Sequence, residues 1–138
     1  MTFSKEYITR DEHIDVQGIM DGLYYPFYME YCRHEYIDKI LGFNLESEAK
    51  KGINMVLSEY SIRFLRSLKQ GDTFTVTCEL FRDKNDVPKL HFQQSIILNG
   101  KITTKAIFTG TCVLSTGGRP FLPEAIKSMI ENAPVLEN

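Results

Sequence analysis

The chain has 138 residues, 43% of them hydrophobic, and a formal net charge of -2 at neutral pH. That length suits one domain, expected over 1–138, and the composition excludes a disordered chain. The near-neutral charge leaves no electrostatic case for nucleic acid, and no apolar run approaches the roughly 18 residues of a membrane span.

The N-terminal MTFSKEYITRDE lacks the apolar core of a signal peptide, so a cytoplasmic location is expected. Three cysteines, Cys32, Cys78 and Cys112, are widely spaced in apolar-periodic segments and form no CxxC pair. They read as small buried hydrophobes. Only Cys32 has sequence neighbours, His34 and Asp38, that a nucleophile could use. His13-x-Asp15 supplies too few ligands for a metal, and none is expected.

Taken in order, Phe3 to Arg10 reads as a first strand. Asp11 to Gly22 is a polar loop carrying the isolated carboxylate Asp15. A helix is expected from about Leu23 to Leu41, ending at Gly42. Pro26 is tolerated only in a first turn, which sets the start near Leu23. The helix carries apolar residues nearly all round, including Leu23, Tyr25, Phe27, Tyr28, Met29, Tyr31 and Ile40, so it should be surrounded by protein. Asp21 sits where an N-cap belongs.

Phe43 to Gly52 is a connector with room for one helical turn. Four strands follow. Asn54 to Leu65 alternates loosely, with Val56, Tyr60, Ile62 and Phe64 on one face and Glu59, Ser61 and Arg63 on the other. Thr73 to Leu80 alternates strictly, the mark of an antiparallel sheet with one buried face. Lys89 to Leu98 and Ile102 to Leu114 are joined by Asn99-Gly100, a two-residue hairpin signal. Gly110 marks a bulge or a close backbone approach. Pro123 to about Glu131 is a terminal helix, and Asn132 to Asn138 is expected to be loose. The order β-α-β-β-β-β with short turns suggests a meander. A five-stranded antiparallel sheet wrapped around one long helix is an α+β hot-dog arrangement.

Several segments carry a resemblance. Asp15-x-x-Gly18, the polar Asp21, the aromatic Tyr25, and Glu30 and Arg33 within the helix resemble the signature of 4-hydroxybenzoyl-CoA-thioesterase-like proteins, which include the Tol–Pal-associated acyl-CoA thioesterases. Phe64 to Asp72 is similar to the family's Y-x-x-P-x-x-x-G-D strand and turn. Leu114 to Pro123 resembles its final strand and exit. The resemblance covers residues 3 to 130. It implies hydrolysis of a thioester of coenzyme A or acyl carrier protein, without a cofactor, by a homodimer or homotetramer with shared sites. It also implies Asp15 as the catalytic carboxylate and a backbone N–H at the helix start as the donor to the thioester oxygen. Three positions depart from the pattern: Gly22 stands where the family has His, Tyr or Asn, Phe64 replaces Tyr, and Ser67 replaces Pro.

The chemistry survives Gly22. A carboxylate can deprotonate water or attack directly, and both routes stay open for Asp15. Thiolate leaves readily, so a general acid is less necessary. The Gly22 N–H can serve as the oxyanion donor without a side chain. Leu23 and Tyr25 are candidate walls for the acyl group, Glu59 a candidate second acid. Arg66 and Lys69 are candidate contacts for coenzyme A phosphates, with Arg82, Lys84, Lys89 and Arg119 as further basic groups. The loss of a side chain at position 22 keeps an alternative alive: a module that binds acyl thioesters, or a protein partner, without turnover.

Overall fold

The computed structural model describes residues 2–137, so the outermost positions of the expected domain, Met1 and Asn138, lie outside the described residues. Strand β1 (Phe3–Ile8) leads through a 3-10 turn at Asp11–His13 and a tight hairpin to a second 3-10 turn, Gly22–Tyr24. Helix α1 (Tyr25–Lys39) follows, then the short helix α2 (Leu45–Lys50) and strands β2 (Ile53–Phe64), β3 (Thr73–Arg82), β4 (Leu90–Leu98) and β5 (Lys101–Leu114). Helix α3 spans Glu124–Glu131. Among the described residues no helix is long and apolar enough to cross a membrane.

All five strands form one antiparallel sheet in the order β1-β3-β4-β5-β2. Only β3-β4-β5 is a meander, which corrects the simple succession expected from the turns. The connector 65–72 does not turn back on β2. It crosses below the start of α1 with Leu68 fully buried, its N–H donating to the Tyr25 hydroxyl at 3.0 Å. The crossing sends β3 to the far side of the sheet and leaves β2 as an edge. The Asn99-Gly100 turn does take left-handed dihedrals, φ 50° and 77°, the requirement of a type I′ hairpin.

The expected long helix is two pieces. Pro26 has no N–H to give the Gly22 carbonyl, so the first turn tightens to 3-10 geometry before α1 begins. The helix is also less uniformly surrounded than its sequence suggests. Tyr25, Tyr28, Met29, Cys32, Arg33, Tyr36 and Ile37 form one buried stripe at helical spacing, while Leu23 is 77% and Tyr31 51% exposed. A charged residue inside that stripe hides its amphipathic pattern.

Arg33 is 3% exposed and lies 4.2 Å over the Phe108 ring. Its Nη1 donates to Gln94 Oε1 at 3.0 Å, and Gln94 Nε2 in turn donates to the Met29 carbonyl at 2.9 Å. This pair bolts the helix to the sheet. Gln94→Leu is expected to destabilise the chain by about 2–3 kcal/mol, because a buried guanidinium loses its acceptor. A lowered urea midpoint at unchanged slope would register it.

A register shift between Leu57 and Glu59 explains the loose alternation of β2. It moves Val56 to the face of Glu59 and brings Leu57 to the face of Tyr60, correcting the grouping read from spacing. Across the shift, a Cβ on Gly110 would lie 3.1 Å from the Val56 carbonyl oxygen, so the close approach needs glycine. The C-terminal residues are also more ordered than expected: Pro134 and Leu136 pair with both backbone groups of Arg82 at 2.8 Å.

Candidate active site

Residues 13 to 21 fold back as a small hairpin. The Asp15 N–H donates to the Ile19 carbonyl at 2.9 Å, Ile14 bridges Met20, and the Asp21 N–H donates to the His13 carbonyl at 2.9 Å. The hairpin is moored to the crossing connector, since the Met20 N–H donates to the Leu68 carbonyl at 2.8 Å and Ile19 bridges Lys69. Its other flank is held by His13. The imidazole is 5% exposed, stacks on Tyr24 at 4.0 Å, and shares a 2.7 Å hydrogen bond with the Tyr28 hydroxyl. Sequence reading assigned His13 no such structural role, because it depends on three aromatic side chains brought in by the next turn of chain.

The Asp15 carboxylate sits at the hairpin tip. Its Oδ1 accepts from the Gln17 N–H at 2.7 Å, an Asx turn that fixes the side chain. Asp21 caps the following 3-10 turn, its Oδ1 accepting from the Leu23 N–H at 2.9 Å. The Tyr24 N–H goes to the Asp21 carbonyl at 3.0 Å. Among the described residues the Gly22 N–H has no acceptor. It is therefore the free donor at the helix start. The space around Gly22 is open: the nearest atom to an added Cβ is Cζ of Phe64, at 3.8 Å.

The other expected site residues divide into two groups. Leu23 is exposed at the mouth. Tyr25 lies beneath it, 3% exposed, with its ring edge-on to Phe64 at 5.0 Å. Burial raises the Tyr25 pKa, the Leu68 N–H opposes the shift, and the charges of Asp15 and Asp72 add to it. Lys69 is exposed beside the hairpin, and Arg66 is exposed nearby with its N–H on the Thr103 carbonyl at 3.1 Å. Glu59 is not brought to this group: it pairs with Thr109 on the sheet face away from α1.

Cysteine chemistry has no place here. Cys32 is fully buried, its thiol aimed at the Val76 carbonyl at 3.5 Å, and burial pushes its pKa up to about 12. Among the described residues no group of three or more His, Cys, Asp and Glu is arranged to hold a metal.

Two cavities lie at the opposite end of the sheet, which was not apparent from sequence. One, of about 390 Å³, is bounded by Glu30, Arg33 and His34 of α1, by Met55 and Leu57 in the first half of β2, and by Gly110 of β5. The other, of about 660 Å³, lies between the loop 83–89 and α3 and carries Arg82, Lys84, Lys89 and Lys127 together with Asp83, Asp86 and Glu131. Ten residues of β3 separate this end from the Asp15 end, about 30 Å at the rise of a strand.

The arrangement has known counterparts. The DHNA-CoA thioesterase of Staphylococcus aureus superposes with a TM-score of 0.80 at 18% identity, covering 93% of this chain and 90% of that one. The 1,4-dihydroxy-2-naphthoyl-CoA thioesterase of Synechocystis superposes with a TM-score of 0.81 at 15% identity, covering 96% and 97%. At such identities the likeness speaks to the fold. In sequence, the chloroplastic acyl-acyl carrier protein thioesterase ATL3 of Arabidopsis thaliana is 32% identical over 75 residues, which is 54% of this chain and 39% of that protein. The chain thus spans less than half the length of this curated relative. A model of the thioesterase-like superfamily matches residues 9–130, from just after β1 to the last turn of α3. With the hairpin, helix α1 and strands β2 to β5 inside that match, the chain belongs to the thioesterase-like superfamily.

Proposed function

We propose that the protein hydrolyses acyl thioesters of coenzyme A to the free acid and coenzyme A. Two observations support this reading: the half-buried Asp15 carboxylate is fixed at the tip of the hairpin that leads into the helix start, and the Gly22 N–H at that start has no acceptor among the described residues. Asp15 delivers the attacking oxygen, either by taking a proton from water or by attacking the carbonyl itself. The Gly22 N–H receives the negative charge that develops on the thioester oxygen. The thiolate departs without a dedicated acid. Leu23 and the Phe64 ring form apolar lips, Tyr25 supports them from below, and Arg66 and Lys69 give the mouth its positive charge.

The working unit in this proposal is a homodimer. Strand β2 has one edge paired with β5 and the other open, and Leu57, Tyr60 and Phe64 on it are 44–49% exposed. A long apolar open edge invites a second strand. Two-fold antiparallel pairing of β2 edges sets the Phe64 end of one chain beside the partner's Ile53. The site around Asp15 then faces the partner's two cavities. The smaller one takes the far end of the acyl group, and the larger one, with Arg82, Lys84, Lys89 and Lys127 in its wall, takes the nucleotide of coenzyme A. Leu57→Glu combined with Tyr60→Glu is expected to yield monomers in sedimentation and to abolish turnover. A wild-type chain that sediments as a monomer while fully active would remove the shared site.

Release of free thiol from a panel of acyl-CoA thioesters tests the activity. Tight binding of acyl-CoA with no thiol released over hours would leave the non-catalytic module instead. The name of the Arabidopsis relative favours a carrier-protein substrate as a second reading. Faster turnover of one acyl group on acyl carrier protein than on coenzyme A would select it.

A further inference from the structure

The outer face of the sheet holds a buried histidine that the chemistry at Asp15 does not use. His91 on β4 is 7% exposed, and both ring nitrogens are engaged. Nε2 lies 2.8 Å from Asp83 Oδ1, and Nδ1 lies 2.9 Å from Thr109 Oγ1. A carboxylate can only accept, so Nε2 carries the proton, and the Thr109 hydroxyl donates to Nδ1 when the ring is neutral. The other Asp83 oxygen accepts from the Asn85 N–H at 2.9 Å, closing an Asx turn at the start of the loop 83–89. At the far end of that loop the Thr111 hydroxyl donates to the Pro88 carbonyl at 2.6 Å. Two threonines on one face of β5 therefore hold both ends of the loop, one directly and one through His91.

The loop has no regular structure of its own, so these ties set its shape. It forms one wall of the 660 Å³ cavity and contributes Lys84 and Lys89 to it. It also contributes Asp83, whose charge would oppose an anionic ligand. His91 draws that carboxylate toward the outer face, and the same bond holds the Asp83 carboxyl below its usual range. With Asp83 engaged, Arg82, the two lysines of the loop and Lys127 of α3 line the cavity against two remaining carboxylates, Asp86 and Glu131.

We propose that His91 is a positioning residue for coenzyme A recognition: by tying down Asp83 it fixes the loop 83–89 and keeps the cavity receptive to the phosphates of the nucleotide. This rests on the proposed reading that the protein acts on coenzyme A thioesters and that the cavity takes the nucleotide. The test compares one acyl group carried on coenzyme A and on pantetheine, which lacks the nucleotide.

For His91→Phe, KM for the CoA thioester is expected to rise about 10-fold, the scale of a lost hydrogen bond to a charged group. Turnover number should stay within about twofold, and the kinetics on the pantetheine thioester should not change. Asp83→Ala breaks the same tie but also removes the opposing charge, so its rise in KM on the CoA thioester should be smaller, and the double variant should be no worse than His91→Phe alone. Should His91→Phe fail to fold, Asp83→Ala carries the comparison. Equal rises in KM on both substrates, a fall in turnover number alone, unchanged CoA kinetics, or additive effects would each overturn the positioning role. A wild-type enzyme that hydrolyses both thioesters with equal KM would instead sink the nucleotide cavity, and the role of His91 with it, while leaving the hydrolase reading intact.

Discussion

Replacing Asp15 by Asn is expected to lower the turnover number on an acyl-CoA thioester about 10³-fold, with KM changed only a few-fold. The size follows from the two roles open to this carboxylate. A positioned general base contributes typically 10²–10⁴-fold, and loss of a nucleophile costs at least as much. A factor of 10³ is about 4 kcal/mol of barrier. Asparagine keeps a side-chain oxygen able to accept from the Gln17 N–H, now 2.7 Å from Asp15 Oδ1, so the hairpin tip should stay folded. What it loses is the charge and the basicity. Thiol release followed with a thiol-reactive dye, alongside thermal unfolding, separates the two. Full activity in Asp15→Asn would sink the assignment of the carboxylate.

The second large effect isolates the oxyanion donor. Gly22→Pro removes the N–H and little else. The position is the first of a helical turn, where proline is tolerated, and the preceding Asp21 has φ -64° and ψ 139°, the extended conformation that a residue before proline prefers. Space is available, since an added Cβ meets only the Phe64 ring edge at 3.8 Å. Removing one oxyanion donor costs about 10²–10³-fold in turnover number, and that loss is expected for Gly22→Pro. Gly22→Ala keeps the N–H and should retain turnover within about threefold. The pair is informative because the two variants differ in the donor while sharing a filled Cα. Parallel losses in both would point to steric obstruction of the mouth and away from the backbone N–H.

Asp15 and Gly22 lie seven positions apart, and the loop and helix start that carry them were legible because both are local. The strands were legible for a similar reason. Alternation along β3 reports a face, and Asn99-Gly100 reports a turn, without knowledge of any distant residue. Helix α1 was legible in extent but not in its orientation, because Arg33 occupies a buried position that only Gln94 and Phe108, far along the chain, make tolerable.

The sequence by itself therefore determined the kind of elements and, through its resemblance, the hot-dog architecture, and it singled out Asp15 and the Gly22 N–H as the candidates proposed above. Tertiary structure alone decided which strand lies at the edge, that Glu59 faces away from Asp15, and that the basic residues of the loop 83–89 gather with Lys127 around one cavity. The division has one physical cause. Local dihedral preferences and side-chain periodicity are written in neighbouring residues, whereas strand order depends on a connector that crosses below a helix. The outer-face network of His91 depends on contacts between strands that no spacing in the chain records.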